Sequence, residues 1–268
     1  MISDVSFKDA NVQIPQGLSA DLIASLHGYS RSDVDALGVR SQQRAHAAWS
    51  KGFFSDLVVP VTNENDEPVL TRDELIRENV TLESLAKLAP AFEQAGEDFG
   101  DYLRLRYPQI SKIRNVHHAG NSSGIADGAA VVLIGNGRVA EQLGLVPKAK
   151  ILSTASAADD PCIMLTAPAA ATAKALDRAR LTVSDIELFE VNEAFASVVL
   201  YFMEKTKVSI DRINPDGGAI AMGHPVGATG AVLIGTLVHE MHRRNVEHGV
   251  VTMCTGLGMG VATVLQRV

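Results

Sequence analysis

The hydrophobic pattern changes character near residue 126. Beyond it, short apolar runs alternate with stretches of helical period. The pattern predicts strands over 149–155, 186–191, 250–254 and 261–265, with Ile213 strand-like. It predicts helices near 139–145 and over 169–180, 193–204 and 228–244. The run GAAVVLIGN at 128–136 reads equally as a strand or a buried helix. Near-continuous apolar strands between helices imply an α/β fold whose sheet is covered by helices.

The first 125 residues lack this alternation. Ser30 with Asp33 forms a capping-box pattern, and Val34, Leu37, Ala45, Ala48 and Trp49 recur at helical spacing, so a helix is predicted over 30–50. Residues 58–80 are polar and contain proline, which predicts loop and short strands. A helix is expected from Thr81 to about Gln94, then a charged, irregular, exposed excursion over 95–114. No short-period repeat or low-complexity tract is visible.

Composition narrows the function classes. The 268 residues suffice for one large or two ordinary domains. A net charge of -7 repels polyanions, and 5% aromatics supply few stacking platforms, so nucleic acid and anionic membrane are poor partners. No apolar run approaches the roughly 20 residues of a membrane span. The opening MISDVSFKDANVQIPQG shows neither the basic start nor the apolar run of a signal peptide. Two cysteines, Cys162 and Cys254, cannot build a disulfide framework, and a reducing cytoplasm is expected. The eight histidines are scattered, and the His239, Glu240 and His242 group reads as a solvated helix face, so no metal is expected.

Four segments carry candidate chemistry. HHAGNSSGIADG at 117–128 is rich in small and hydroxyl residues; it is either a tight turn or a loop that lets a ligand approach the backbone. In EVNEAFA at 190–196, Asn192 stands where a strand meets a helix, at the carboxyl end where α/β sites gather. It either caps the helix or holds a water or carbonyl. NPDGGAIAMGHPVGATG at 214–230 holds one ionisable imidazole, His224, in a rigid Gly/Pro loop on the N-terminal side of a helix. The helix dipole there disfavours protonation and leaves a neutral imidazole able to donate to an oxyanion. In MCTGLGMG at 253–260, Cys254 enters a glycine turn whose free N–H groups favour an anion; the alternative is a buried, inert thiol.

Together these segments resemble the thiolase family: NEAFA, the NPDGGAIAMGHPVGATG stretch and the closing CTGLGMG stand in family order, and AGNSSGIADGAA is similar to the family's loop that meets coenzyme A. PQGLSADLIA resembles a further family segment in the loop domain. The resemblance implies a thiolase-like αβαβα layered fold, present as the C-terminal half plus loop domain, with the N-terminal half largely missing. On that reading, 1–125 is a loop-domain part with the CoA-contacting loop, 126–148 a remnant strand and helix of the N-terminal half, and 149–268 the C-terminal domain. The implied chemistry is thiolytic cleavage of 3-ketoacyl-CoA, or the reverse Claisen condensation. It uses coenzyme A and acyl-CoA as substrates, with no tightly bound cofactor. His224 matches the oxyanion-stabilising histidine, Asn192 the residue that positions a water beside it, and Cys254 the acid/base cysteine. The N–H of Gly256 would line the second oxyanion hole. Ser123 matches a CoA-contacting serine, with Ala119 and Phe195 near the pantetheine channel. The 92–114 stretch resembles degradative members, as in fatty-acid β-oxidation.

One departure stands out. The family's nucleophile sits in a Cys–Gly–small motif, and no such motif occurs here. Cys162 lies in DDPCIMLTAP, which resembles a non-catalytic family stretch. The chain alone is therefore expected to be inactive, with an apolar face larger than the roughly few hundred Å² a soluble monomer tolerates. A second copy, or a partner supplying the missing half, would cover that face. The alternative is a non-catalytic remnant that binds CoA or acyl groups. A decarboxylating condensing enzyme, with two histidines beside one cysteine, fits the motif set less well.

Overall fold

A computed structural model describes residues 12–268; the polar opening stretch of the chain lies outside the described residues. Helix α1 (Gln16–His27) begins after Pro15 and ends at Gly28; α2 (Arg31–Ser50) begins at Ser30, whose side chain accepts from Asp33 N while Asp33 caps in return. A small hairpin, β1 (Val61–Thr62) and β2 (Pro68–Leu70), precedes three short helices, α3 (Leu82–Ala86), α4 (Glu93–Asp98) and α5 (Gly100–Arg106). Then come α6 (Gly137–Gln142), β3 (Ala149–Ala158), α7 (Ala167–Ala179), β4 (Leu188–Val191), α8 (Ala196–Thr206), α9 (Ala219–Met222), α10 (Thr229–Arg244), β5 (His248–Thr255) and β6 (Met259–Arg267).

The four long strands form one mixed sheet in the order β3-β6-β5-β4. Only β4 and β5 run parallel; the other pairs are antiparallel. Alternation along each strand gives the sheet two faces. Phe189, Val191, Val250, Ala262 and Val264 meet α7 and α8 on one face. Leu188, Val251 and Leu265 meet Leu233, Leu237 and Met241 of α10 on the other. Helix α10 packs mainly on β4 and β5. Over β3 and β6 the same face is open, and Ile151, Met259 and Val261 stay exposed. No described helix is long and apolar enough to cross a membrane.

The elements predicted beyond residue 149 are present with shifted ends, and α2 matches its prediction. Three expectations fail. Residues 128–136 form neither strand nor buried helix: the backbone is irregular, and Val131 is 95% and Leu133 78% exposed. No described strand lies beside this run to accept its ladder bonds, so the remnant expected over 126–148 reduces to α6. The helix expected over 81–94 stops at Ala86, because Pro90 biases the residue before it away from helix and removes a donor. The 95–114 stretch is not a free excursion. It folds as α4 and α5, and Leu103, Ile110 and Ile113 are buried in one cluster with Leu18, Leu22 and Ile23 of α1.

Two buried Asp–His pairs fasten α1 and α2 to the 117–121 loop. Asp21 Oδ1 accepts from the N–H groups of Val116 and His117 and from His117 Nδ1 at 2.7 Å, while its Oδ2 accepts from Asn115 Nδ2. Asp35 accepts from His118 Nε2 and Asn121 Nδ2, each at 2.8 Å, and from Arg31 Nε. Replacing Asp21 by Ala would strand three buried donors, the N–H groups of Val116 and His117 and His117 Nδ1. The expected loss is about 2–4 kcal/mol of stability, read as a lower urea midpoint. An unchanged midpoint would contradict the anchoring role.

Candidate functional site

The site assembles where three stretches converge at the carboxyl end of β4. The backbone of β4 stops donating to the sheet at Asn192, whose N–H still reaches Thr252 O on β5 at 3.0 Å. Residues 192–195 stay out of the helix, because Ser123 N donates to Ala194 O and Ala196 N donates to Asn121 O. This small antiparallel pairing of 121–123 with 194–196 delays α8 to Ala196, later than the predicted 193. The cap position belongs to Phe195, so Asn192 does not cap the helix.

Asn192 Nδ2 donates instead to His224 Nε2 at 3.3 Å. The rest of the geometry follows from donor counting. Thr229 Oγ1 gives its one proton to Pro225 O at 3.0 Å. We assign the 2.7 Å bond between His224 Nδ1 and Thr229 Oγ1 to the Nδ1 proton. The result is a single chain of donors, Asn192 to His224 to Thr229 to Pro225. In that chain the Nε2 lone pair accepts from Asn192, and Nε2 is the ring nitrogen not committed to Thr229. Burial holds the His224 imidazole below the ordinary histidine range. The direction matches the expectation of a neutral ring; the cause is desolvation, since α10 begins five residues later.

The loop that bears His224 is held from two sides. His224 N donates to Gly124 O at 2.9 Å, joining it to the 117–125 loop. Just before it, Gly223 has φ +92, and a Cβ there would lie 2.6 Å from Ala126 Cβ, so both conformation and space require glycine. Further back, Asn214 bonds Val191 through both ends of its amide, at 2.8 Å each, extending the edge of β4 with a side chain. Beneath Asn192 on the same strand, Glu190 is wholly buried. Burial, with the nearby Asp216 and Glu193 charges, raises its carboxyl well above the usual range.

Cys254 lies at the same sheet end, on β5, two residues past the Thr252 that bonds Asn192. It packs with Ala194, Val198 and the 162–165 segment. No hydrogen bond joins it to His224. Burial pushes its thiol up to about 11. Gly256, in the exposed β5–β6 turn, follows directly. Ser123 is half-buried in the strand-like pairing, Ala119 is exposed, and Phe195 meets His117 edge-on at 5.7 Å. Thus Asn192, His224, Ser123 and Phe195 share one bonded framework, and Cys254 and Gly256 flank it. Cys162 is fully buried; its N–H donates to Asp160 and its carbonyl accepts from Ser19 Oγ. Both cysteines are free. Among the described residues, no group of three potential ligands could hold a metal ion.

Thr229, Asp21, Asp35 and Glu193 were not singled out in the sequence. Thr229 carried a signal, its fixed place five residues after His224. The aspartates carried none, because only the fold brings α1 and α2 against the His117–His118 doublet.

Because only a thiolate alkylates readily, the Cys254 peptide should react with iodoacetamide at a rate that climbs until pH nears 11, as followed by mass spectrometry. A midpoint near the ordinary thiol value of about 8.5 would contradict the buried environment.

Comparison with known proteins places these features in a family. A model described as the thiolase C-terminal domain matches residues 145–267, and one described as the thiolase N-terminal domain matches residues 1–98. The rat peroxisomal 3-ketoacyl-CoA thiolase A is 42% identical over 269 residues, 97% of this chain and 58% of that protein. The crystal structure of the Bacillus anthracis acetyl-CoA acetyltransferase superposes with a TM-score of 0.83 at 33% identity, covering 95% of this chain and 60% of that one. This chain thus spans about 60% of the length of these two proteins. The 3-ketoacyl-CoA thiolase of Colwellia psychrerythraea is 40% identical over the whole of this chain and 68% of its own length. With these matches beside a thiolase-like fold and the three family motifs converging on one sheet end, the chain belongs to the thiolase family.

Proposed function

We propose that this chain supplies the histidine and second-cysteine side of a thiolase active site, for thiolytic cleavage of 3-ketoacyl-CoA in fatty-acid β-oxidation or the reverse condensation. The observation that carries the reading is the Asn192–His224 pair, 3.3 Å apart and tied through Gly124 to the 117–125 loop. The names of the rat and Colwellia relatives point to the same substrate class.

The roles follow from the donor chain. With Nδ1 committed to Thr229, the Nε2 lone pair of His224, once released by Asn192, takes the proton of a nucleophilic thiol. The imidazolium Nε2–H then donates to the oxyanion that forms on the thioester carbonyl. Asn192 orients the ring and holds a water beside that oxygen. Cys254, protonated at rest, delivers a proton to the departing enolate, or removes the α-proton of acetyl-CoA in the reverse direction once its own proton has left. The N–H of Gly256 stabilises the second oxyanion. Ser123, Ala119 and Phe195 line the approach of the pantetheine arm. Coenzyme A enters as substrate, and no resident cofactor is required.

On this reading neither cysteine of these 268 residues is the nucleophile. Cys162 lies in a stretch that resembles a non-catalytic family segment, and its backbone bonds to Asp160 and Ser19 seat it in the α1 cluster, which supports this reading. We assign the nucleophile to a partner or second segment that covers the open face of β3 and β6 and the exposed 128–136 run. Two free cysteines suit a reducing compartment such as the cytoplasm.

The assay is acetoacetyl-CoA plus CoA, followed by loss of enolate absorbance. The chain alone is expected to give no turnover, and an added N-terminal thiolase segment to restore it. In the restored enzyme, His224→Ala and Cys254→Ala should each lower the rate by about 10²–10⁴-fold. Turnover by the chain alone would overturn the assignment of the nucleophile. Normal kinetics in either variant would overturn the roles. CoA binding without restored turnover would favour a binding remnant.

A further inference from the structure

We infer that Glu193 is a positioning residue for His224: a buried carboxylate faced only by donors, which sets the loop that carries the imidazole. Glu193 follows Asn192 directly and is 3% exposed. Its Oε2 accepts from Ser41 Oγ at 2.6 Å and from Ile220 N at 3.2 Å, and its Oε1 accepts from Asn214 Nδ2 at 2.9 Å. Those three partners come from α2, from α9 and from the start of the glycine loop. Ser41 Oγ also accepts from Gly218 N at 3.2 Å, so the loop is bound to the carboxylate both directly and through the serine.

The fit is close. A Cβ on Gly218 would sit 2.4 Å from Glu193 Cδ, so this glycine exists to let the loop lie on the carboxylate. From Gly218 the chain makes the single turn of α9, passes Gly223 and reaches His224. Asn192 and Glu193 thus act as neighbours with divided tasks. One touches the imidazole ring; the other fixes the backbone that delivers it.

A carboxylate is required on chemical grounds. The two carboxyl oxygens meet one hydroxyl, one amide NH₂ and one backbone N–H, and all three donate. Glutamine would turn its own NH₂ toward a donor and leave a buried mismatch. Arg44 supplies the compensating positive charge. Its guanidinium donates to the carbonyls of Ile213 and Asn214, and its charge joins the bonds from Ser41, Asn214 and Ile220 in opposing the burial that raises the Glu193 carboxyl.

The catalytic consequence rests on the reading of His224 given above; the positional claim does not. The test is therefore read first at the ring. In the whole chain, the His224 side-chain resonances are titrated by NMR in wild type, Glu193→Gln and Ser41→Ala. The inference expects both variants to move the His224 titration upward, toward that of an exposed histidine, with Glu193→Gln moving it further. A residue that only stabilised the fold would lower the melting temperature and leave that titration in place. An unchanged His224 titration in folded Glu193→Gln overturns the inference. If Glu193→Gln does not fold, an unchanged titration in Ser41→Ala overturns it. In the enzyme restored with an N-terminal segment, the expected loss in Glu193→Gln is about 10–100-fold in kcat with little change in KM, as for a small displacement of a reacting group. A moved titration with an unchanged rate supports the positioning role and rejects the catalytic role of His224.

Discussion

The hydrogen bond between Asn192 and His224 is the constraint around which the described chain is organised. Neither residue belongs to an element that could hold it alone. Asn192 sits on the last turnout of a four-residue strand, and His224 lies in a loop too rich in glycine to define itself. Each is fixed from outside. The 121–123 segment pairs with 194–196 and so blocks an early start to α8. Gly124 O holds the His224 backbone, and Asn214 grafts the loop's beginning onto β4. A side chain on one surface and a backbone on the other are thereby brought within bonding distance at a sheet's carboxyl end.

Energetically, the framework relies on buried polar groups more than on apolar area. Asp21, Asp35, Glu193 and Asn214 are all buried, and each satisfies several donors or acceptors. Removing one member strands the others in a medium that cannot replace water, so these networks act as all-or-none fasteners. The apolar core does a different task. It seats the sheet on α7, α8 and α10 and leaves the β3–β6 half of one face open. The open face and the exposed, unpaired 128–136 run lie in the parts of the chain with the least internal covering.

Much of this was legible in the sequence, and the limits have physical reasons. The capping box at Ser30 and Asp33 is local chemistry, and α2 begins there. The α/β rhythm after residue 149 is local periodicity, and its elements are present. The run at 128–136 misled because apolar composition reports what a segment could pair with. No strand lies beside it, and Val131 and Leu133 stand in solvent. Residues 95–114 misled in the opposite way: a few apolar residues among charges, Leu103, Ile110 and Ile113, were enough to dock on α1. Within the site, motif order pointed to Asn192, His224 and Cys254. The direction of each hydrogen bond was not legible. Assigning the Nδ1 proton of His224 to Thr229 rests on Thr229 Oγ1 lying 3.0 Å from Pro225 O, a spacing that only the fold sets.

The central claim is that His224 rests neutral, with its proton on Nδ1 and its Nε2 accepting from Asn192. Nitrogen-15 NMR of the histidine ring at neutral pH reads this directly. The account expects a protonated Nδ1 and an unprotonated Nε2 for His224. A proton on Nε2 with a bare Nδ1, or a ring charged on both nitrogens, would contradict it.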